Sequence, residues 1–195
     1  VLLARAVHRI NTMIQPDVTV VAGDMVDEPD PTRAAERLAR LQTILAGLKS
    51  PAIVLPGNHD PAPELFYRTV PKPPEFLDAG GIRFVWFIDP EAPGWWARRT
   101  DENLARMAAA RVGFDGPLVA IQHVPVFPLG ASGARYDYVN ADAVLETMQR
   151  CGYILAISGH EHRGMDLLRV GRTATLAGPA LCEDPFPFLE VVIDG

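Results

Sequence analysis

A chain of 195 residues, 48% hydrophobic and 22% charged, is long enough to bury a sizeable core and predicts one globular domain over 1–195. With 24 acidic against 18 basic residues, the formal net charge of −6 argues against a general attraction to nucleic-acid phosphates. No apolar stretch approaches the ~20 residues of a membrane-spanning helix, and two cysteines, Cys151 and Cys182, are too few for a disulfide framework, so a reducing cytoplasm is the expected compartment.

The chain opens on an amphipathic pattern: Leu3, Val7, Ile10 and Ile14 share one helical face, with His8 beside Arg9 on the helix surface. Because Val1 is not an initiating methionine and this opening is no signal peptide, the chain is expected to begin inside a larger gene product. After Pro16-Asp17, the run Val18 to Ala22 is apolar on both faces, as in a covered parallel strand. Asp30-Pro31 starts a helix whose Ala34, Leu38, Leu41, Leu45 and Leu48 keep helical spacing, and Ala52 to Leu55 repeats the buried-strand pattern. The proline-rich stretch from Pro61 to Pro74 reads as a loop. Phe84 to Ile88 predicts a strand, Asp101 to Val112 a helix, and Leu118 to Ile121 a third buried strand. Asn140 is expected to cap a helix ending near Gly152, and Tyr153 to Ile157 follows as a fourth buried strand. Leu167 to Val170, Thr173 to Leu176 and Phe188 to Ile193 read as a closing meander turning at Gly171-Arg172.

Each buried strand stops just before a polar residue: Asp24 in Gly23-Asp24-Met25-Val26-Asp27, Asn58 in Gly57-Asn58-His59-Asp60, His123 in Gln122-His123-Val124-Pro125, and His160 in Gly159-His160-Glu161-His162. In an open sheet flanked by helices, ligands gather beyond the carboxyl ends of the strands, so these loops are expected to converge. The residue types suit two divalent metals. Asp24 can bridge two cations with its two oxygens, and Asn58 offers an amide oxygen that adds no charge to repel an anionic substrate. His123, His160 and His162 supply imidazole donors. This set fits manganese, iron, zinc or cobalt without choosing among them.

In order and spacing these four motifs resemble those of the calcineurin-like metallophosphoesterase superfamily, over nearly the whole chain. The resemblance implies an α/β fold of two mixed β-sheets packed as a sandwich flanked by helices, with a dinuclear site at one edge. It implies that Asp24 bridges, that Asn58, His123 and His160 hold one metal, and that His162 helps hold the other. His59 would then protonate or stabilise the leaving oxygen, with Asp27 orienting it. The family pattern opens with an Asp-x-His pair on a first strand, and no such pair precedes Asp24, so that strand is expected to be missing here and the isolated segment to fold poorly or to oligomerise.

The implied activity is hydrolysis of a small soluble phosphomonoester or phosphodiester by a metal-bound hydroxide. The alternative is a non-catalytic interaction scaffold of the same fold with a degenerate metal site. Glu28 stands where serine/threonine protein phosphatases carry arginine after the second aspartate, which disfavours that subgroup. Val124 occupies the place of a second histidine found in several cyclic-nucleotide phosphodiesterases. Arg135, Tyr136 and Arg163 can hold a phosphate or stack on a base, although a surface role is the plainer reading. Trp95-Trp96 reads as packing before pocket lining, and Asp60 and Glu161 as solvated charge.

Overall fold

A computed structural model of the chain describes residues 2–131 and 135–193. Helix α1 (Leu2–Arg9) runs into a π-helical turn, Ile10–Ile14, closed by Gln15 in the left-handed region, whose N–H donates to the Ile10 carbonyl at 2.7 Å. Strand β1 (Thr19–Val21), helix α2 (Pro31–Leu45) and strand β2 (Ala52–Val54) form one crossover unit, which makes the two strands parallel. Asp30 starts α2 as its sequence suggests, its side chain accepting from the Arg33 N–H at 2.9 Å. The proline-rich stretch contains one short helix, α3 (Pro63–Phe66).

A six-stranded mixed sheet follows, in the order β3 (Phe76–Ala79), β4 (Ile82–Trp86), β7 (Leu118–Ile121), β8 (Tyr153–Ser158), β10 (Thr173–Ala177), β9 (Met165–Val170). Strands β4, β7, β8 and β10 are parallel, while β3 and β9 close its two edges antiparallel. A small hairpin, β5 (Glu91–Ala92) and β6 (Trp96–Ala97), stands apart from it. Helices α4 (Asp101–Ala109) and α5 (Ala141–Cys151) complete the chain's regular elements among the described residues.

Period-two alternation explains the layering. Along β4 and the residue after it, Phe84 and Trp86 face one core while Val85 and Phe87 face another. Along β7, Val119 and Ile121 pair with the first set and Leu118 and Ala120 with the second. The first core lies between the two sheets and includes Ile53 and Leu55 from the β2 segment. In the second, the large sheet packs on Met107 of α4 and on Val144 and Met148 of α5. A third joins Val54 to Val7 of α1, Leu38 of α2 and Phe66 of α3. The result is an α/β sandwich of helices, small sheet, large sheet and helices. Its smaller layer holds two parallel strands among the described residues, where the sequence suggested a mixed sheet.

Three local expectations change. Phe188 to Ile193 forms no strand: it follows Pro185 and Pro187, and Val192 is 72% exposed. Phe76–Ala79 is a strand that the proline-rich flank concealed. Asn140 does not cap α5, because its side chain is taken by Arg99, accepting from the Arg99 N–H at 3.1 Å and donating to the Arg99 carbonyl at 2.9 Å.

Candidate metal centre

The carboxyl ends of β1, β2, β7 and β8 meet along the line where the two sheets face one another, and the loop after each contributes one polar side chain. Asp24 and His160 both adopt positive φ, +55° and +64°, a conformation costing a non-glycine residue on the order of 1–3 kcal/mol. Two glycines allow the close approach. A Cβ on Gly23 would lie 2.6 Å from both the Gly57 nitrogen and His123 Nδ1, and one on Gly57 would collide with Asp24 Oδ1.

The resulting cluster has a specific electronic character. His123 Nδ1 lies 2.6 Å from the Ala22 carbonyl oxygen, and His160 Nε2 lies 3.1 Å from the Trp95 carbonyl oxygen. A carbonyl oxygen only accepts, so each ring carries a proton on that nitrogen, and a neutral ring presents a bare lone pair on the other. The two remaining nitrogens, His123 Nε2 and His160 Nδ1, are 3.1 Å apart. Asn58 Oδ1 stands 2.9 Å and Asp24 Oδ2 3.2 Å from His123 Nε2. A neutral His123 ring beside a neutral His160 would leave four acceptors converging with no donor between them, an arrangement that one cation satisfies.

Donor atoms of Asp24, His123 and His160 all lie within 4.8 Å of one another, a spacing compatible with a single ion. Burial, reinforced by the charge of His123 when that ring is protonated, pushes His160 down to about 4, so that its ring is neutral at physiological pH. Burial alone would raise Asp24, but a protonated His123, through its hydrogen bond and charge, together with the His59 backbone N–H, outweighs it and holds the carboxyl below its usual value. That N–H donates to Asp24 Oδ1 at 2.9 Å.

The remaining motif residues are placed less uniformly. His59 Nδ1 is 3.3 Å from Asp27 Oδ1, and both side chains are open to solvent at the rim. His162 does not enter the four-atom cluster; its Nδ1 contacts Glu183 Oε1 at 2.6 Å. It does line the same cavity of about 440 Å³, with Asp24, Asn58, His59 and His160. Arg135, Tyr136 and Arg163 also line it, and the Tyr136 ring packs against His160 at 4.3 Å between centroids. Trp95, read as packing, is 57% exposed at the tip of the β5–β6 hairpin and forms part of the wall.

Asp60 and Glu161 are buried, not solvated. Asp60 accepts from the backbone N–H groups of Met25 (3.1 Å), Val26 (2.9 Å) and Gly57 (2.9 Å), tying the Asp24 loop to the Asn58 loop. Burial pushes its carboxyl upward despite those donors.

Behind the cluster lies a buried network that the sequence did not announce. Arg99 donates through Nε to Asp89 Oδ2 (2.8 Å) and through Nη2 to Gln122 Oε1 and the Tyr138 hydroxyl (both 3.3 Å). Gln122 in turn donates to Ser158 Oγ at 2.9 Å, so the residue before His123 is bonded to the strand end before His160.

The loop between β7 and α5 is shaped by Asp137, whose Oδ1 accepts from the Phe127 (3.0 Å) and Tyr138 (2.7 Å) backbone N–H groups. Burial raises this carboxyl to about 6. A folded-state value above the unfolded one near 3.8 gives stability that is present below that lower value and lost as pH rises through about 6. Because both hydrogen bonds end on one oxygen, Asp137→Asn keeps them and removes the ionisation. The variant is expected to melt higher than the parent at pH 7, with the gap closing toward pH 4. A gap independent of pH would exclude this origin.

Among the described residues, no helix is long and apolar enough to cross a membrane. The chain is 31% identical to a protein named probable cyclic nucleotide phosphodiesterase from Rhodopseudomonas palustris, over 83% of this chain and 62% of that one. It is 28% identical to a glycerophosphodiester phosphodiesterase from Enterobacter lignolyticus, over 96% of this chain and 73% of that one. It thus spans under two thirds of the first relative and under three quarters of the second. Its fold is shared with a dimetal phosphatase from Danio rerio, at a TM-score of 0.65 and 15% identity over 92% of this chain and 77% of that one. Residues 2–164, the span that contains every loop of the four-acceptor cluster, match calcineurin-like phosphoesterase, and the chain belongs to that family.

Proposed function

We propose that the chain hydrolyses a small phosphoester at this cavity with the help of two divalent cations. The observation that carries the reading is the convergence of Asp24 Oδ2, Asn58 Oδ1 and His160 Nδ1 on His123 Nε2, each within 3.2 Å of it. Asp24, Asn58, His123 and His160 would hold one cation, and Asp24 with His162 would hold the other. Bound there, such cations would supply Lewis acidity toward the phosphoryl oxygens and toward an attacking water. The nitrogen and oxygen donors suit manganese, iron, zinc or cobalt.

The protein's own groups supply the rest. Arg135 and Arg163, in the cavity wall, would attract and orient the anionic substrate, while Tyr136 and Trp95 give its organic part a flat surface. His59 would give a proton to the departing oxygen, and Asp27 would hold the imidazole in the orientation for doing so. Both curated relatives are named as phosphodiesterases, which favours a diester over a monoester.

The test is hydrolysis of bis(p-nitrophenyl) phosphate with added manganese, comparing the chain with Asp24→Ala. The parent is expected to turn over and the variant to lose more than about 100-fold in rate, since even groups one step removed from a metal cost 10–100-fold. Equal rates for the two proteins would remove the enzyme reading and favour the interaction scaffold.

A further inference from the structure

We propose that Glu183 is a positioning residue that makes His162 a ligand for a second divalent cation, an inference that rests on the metal-dependent reading above. The contact is short, with His162 Nδ1 2.6 Å from Glu183 Oε1. A carboxylate only accepts, so Nδ1 carries a proton, and in the neutral ring Nε2 keeps its lone pair for a cation. Among the described residues that Nε2 has no hydrogen-bond partner.

The same arrangement serves His123 and His160, whose spare nitrogens are held by the Ala22 and Trp95 carbonyls. Glu183 differs in bringing a full negative charge, which makes the imidazole a more basic donor. Backbone bonding puts it there. In the segment after β10, the Gly178 N–H donates to the Ser158 carbonyl at 2.8 Å and the Ala180 N–H to the His162 carbonyl at 2.9 Å. This carries Glu183 back to the cavity that Asp24 and Asn58 also line.

A second observation points to positive charge at this end of the cavity. Glu161, between the two histidines of its motif, is buried, contributes to the wall, and leaves Oε2 without a partner. A buried carboxylate oxygen of that kind is costly unless a cation lies nearby. Glu183 lies beyond residues 2–164, the span that matches calcineurin-like phosphoesterase.

Calorimetric titration of the chain with manganese tests the assignment. The parent is expected to take up two cations. Glu183→Ala is expected to weaken the second by about 10- to 100-fold and leave the first unchanged. Its melting temperature should also hold, because the His162 and Glu183 side chains are each 55% exposed and such pairs add little to folding. Glu183→Gln keeps an acceptor for the Nδ1 proton without the charge and is expected to fall between the two. Unchanged second-site affinity in both variants, or a single cation per parent chain, overturns the role of Glu183 while the metal reading stands. No uptake by the parent overturns both.

Discussion

Replacing Arg99 with methionine is expected to cost about 3–5 kcal/mol of folding stability, the range for removing one partner of a buried ion pair and out of a total of typically 5–15. Arg99 is fully buried, and its guanidinium stacks over the Phe87 ring at 3.9 Å from the centroid. Methionine fills much of the same space, so the loss falls on charge and hydrogen bonding rather than on a cavity. Asp89 would be left buried with only the Tyr138 hydroxyl (2.7 Å) and the Asn103 amide (2.8 Å) as donors. Lysine is no substitute, because a single ammonium cannot reach Asp89, Gln122 and Tyr138 in the planar fork that they require. Adding Asp89→Asn to Arg99→Met should recover part of the loss, since the stranded charge is then gone. Urea unfolding of the two single variants and the double measures this directly. An Arg99→Met midpoint within error of the parent would show the network to be energetically idle.

How far the sequence reveals this molecule depends on the distance over which its signals act. Strands β1, β2, β7 and β8 are legible because burial on both faces writes an unbroken apolar run, and the polar residue that ends each run is visible beside it. Asp30 at the start of α2 is legible for the same local reason. Arg99 is not. It follows Arg98 in a polar stretch, and its burial depends on Asp89, Gln122 and Tyr138, 10, 23 and 39 residues away. Asn140 misled for a related reason: an asparagine before a helix fits a cap, yet the Arg99 backbone competes for the same amide. Phe188 to Ile193 carries strand-like composition, but pairing needs a neighbouring edge, and nothing in composition states whether one is free.

The site shows the same division. The identities of the converging residues are local signals, whereas the tautomers that turn the rings into ligands are set by carbonyls far along the chain. Ala22 is 101 residues from His123, and Trp95 is 65 from His160. The β5–β6 hairpin therefore has a task beyond closing a loop, since the carbonyl of its exposed tip residue decides which nitrogen of His160 faces the cluster. Arg99 follows two residues after that hairpin and bonds to Gln122, so the buried network braces both the hairpin and the strand end carrying His123.

Asp60→Ala is the second large effect, and it should couple stability to metal affinity. The Asp60 carboxylate is the shared acceptor for three backbone N–H groups, two in the Asp24 loop and one at Gly57. Each buried donor left unsatisfied costs about 1–3 kcal/mol, and water entering the vacated space would satisfy some of them, so a total near 3 kcal/mol is expected. Asparagine is a poor replacement, because Met25 and Gly57 donate to Oδ2 while Val26 donates to Oδ1, and an amide must turn its own NH₂ toward one of those donors. The loops released are those that carry Asp24 and Asn58, so the four-acceptor geometry should loosen along with the fold. Urea unfolding without metal and manganese titration at a temperature where the variant stays folded separate the two losses. A variant that unfolds earlier but binds manganese as tightly as the parent would confine Asp60 to the fold. Parallel losses in Asp60→Ala and Asp60→Asn would establish that the carboxylate holds the two ligand loops at the spacing a cation requires.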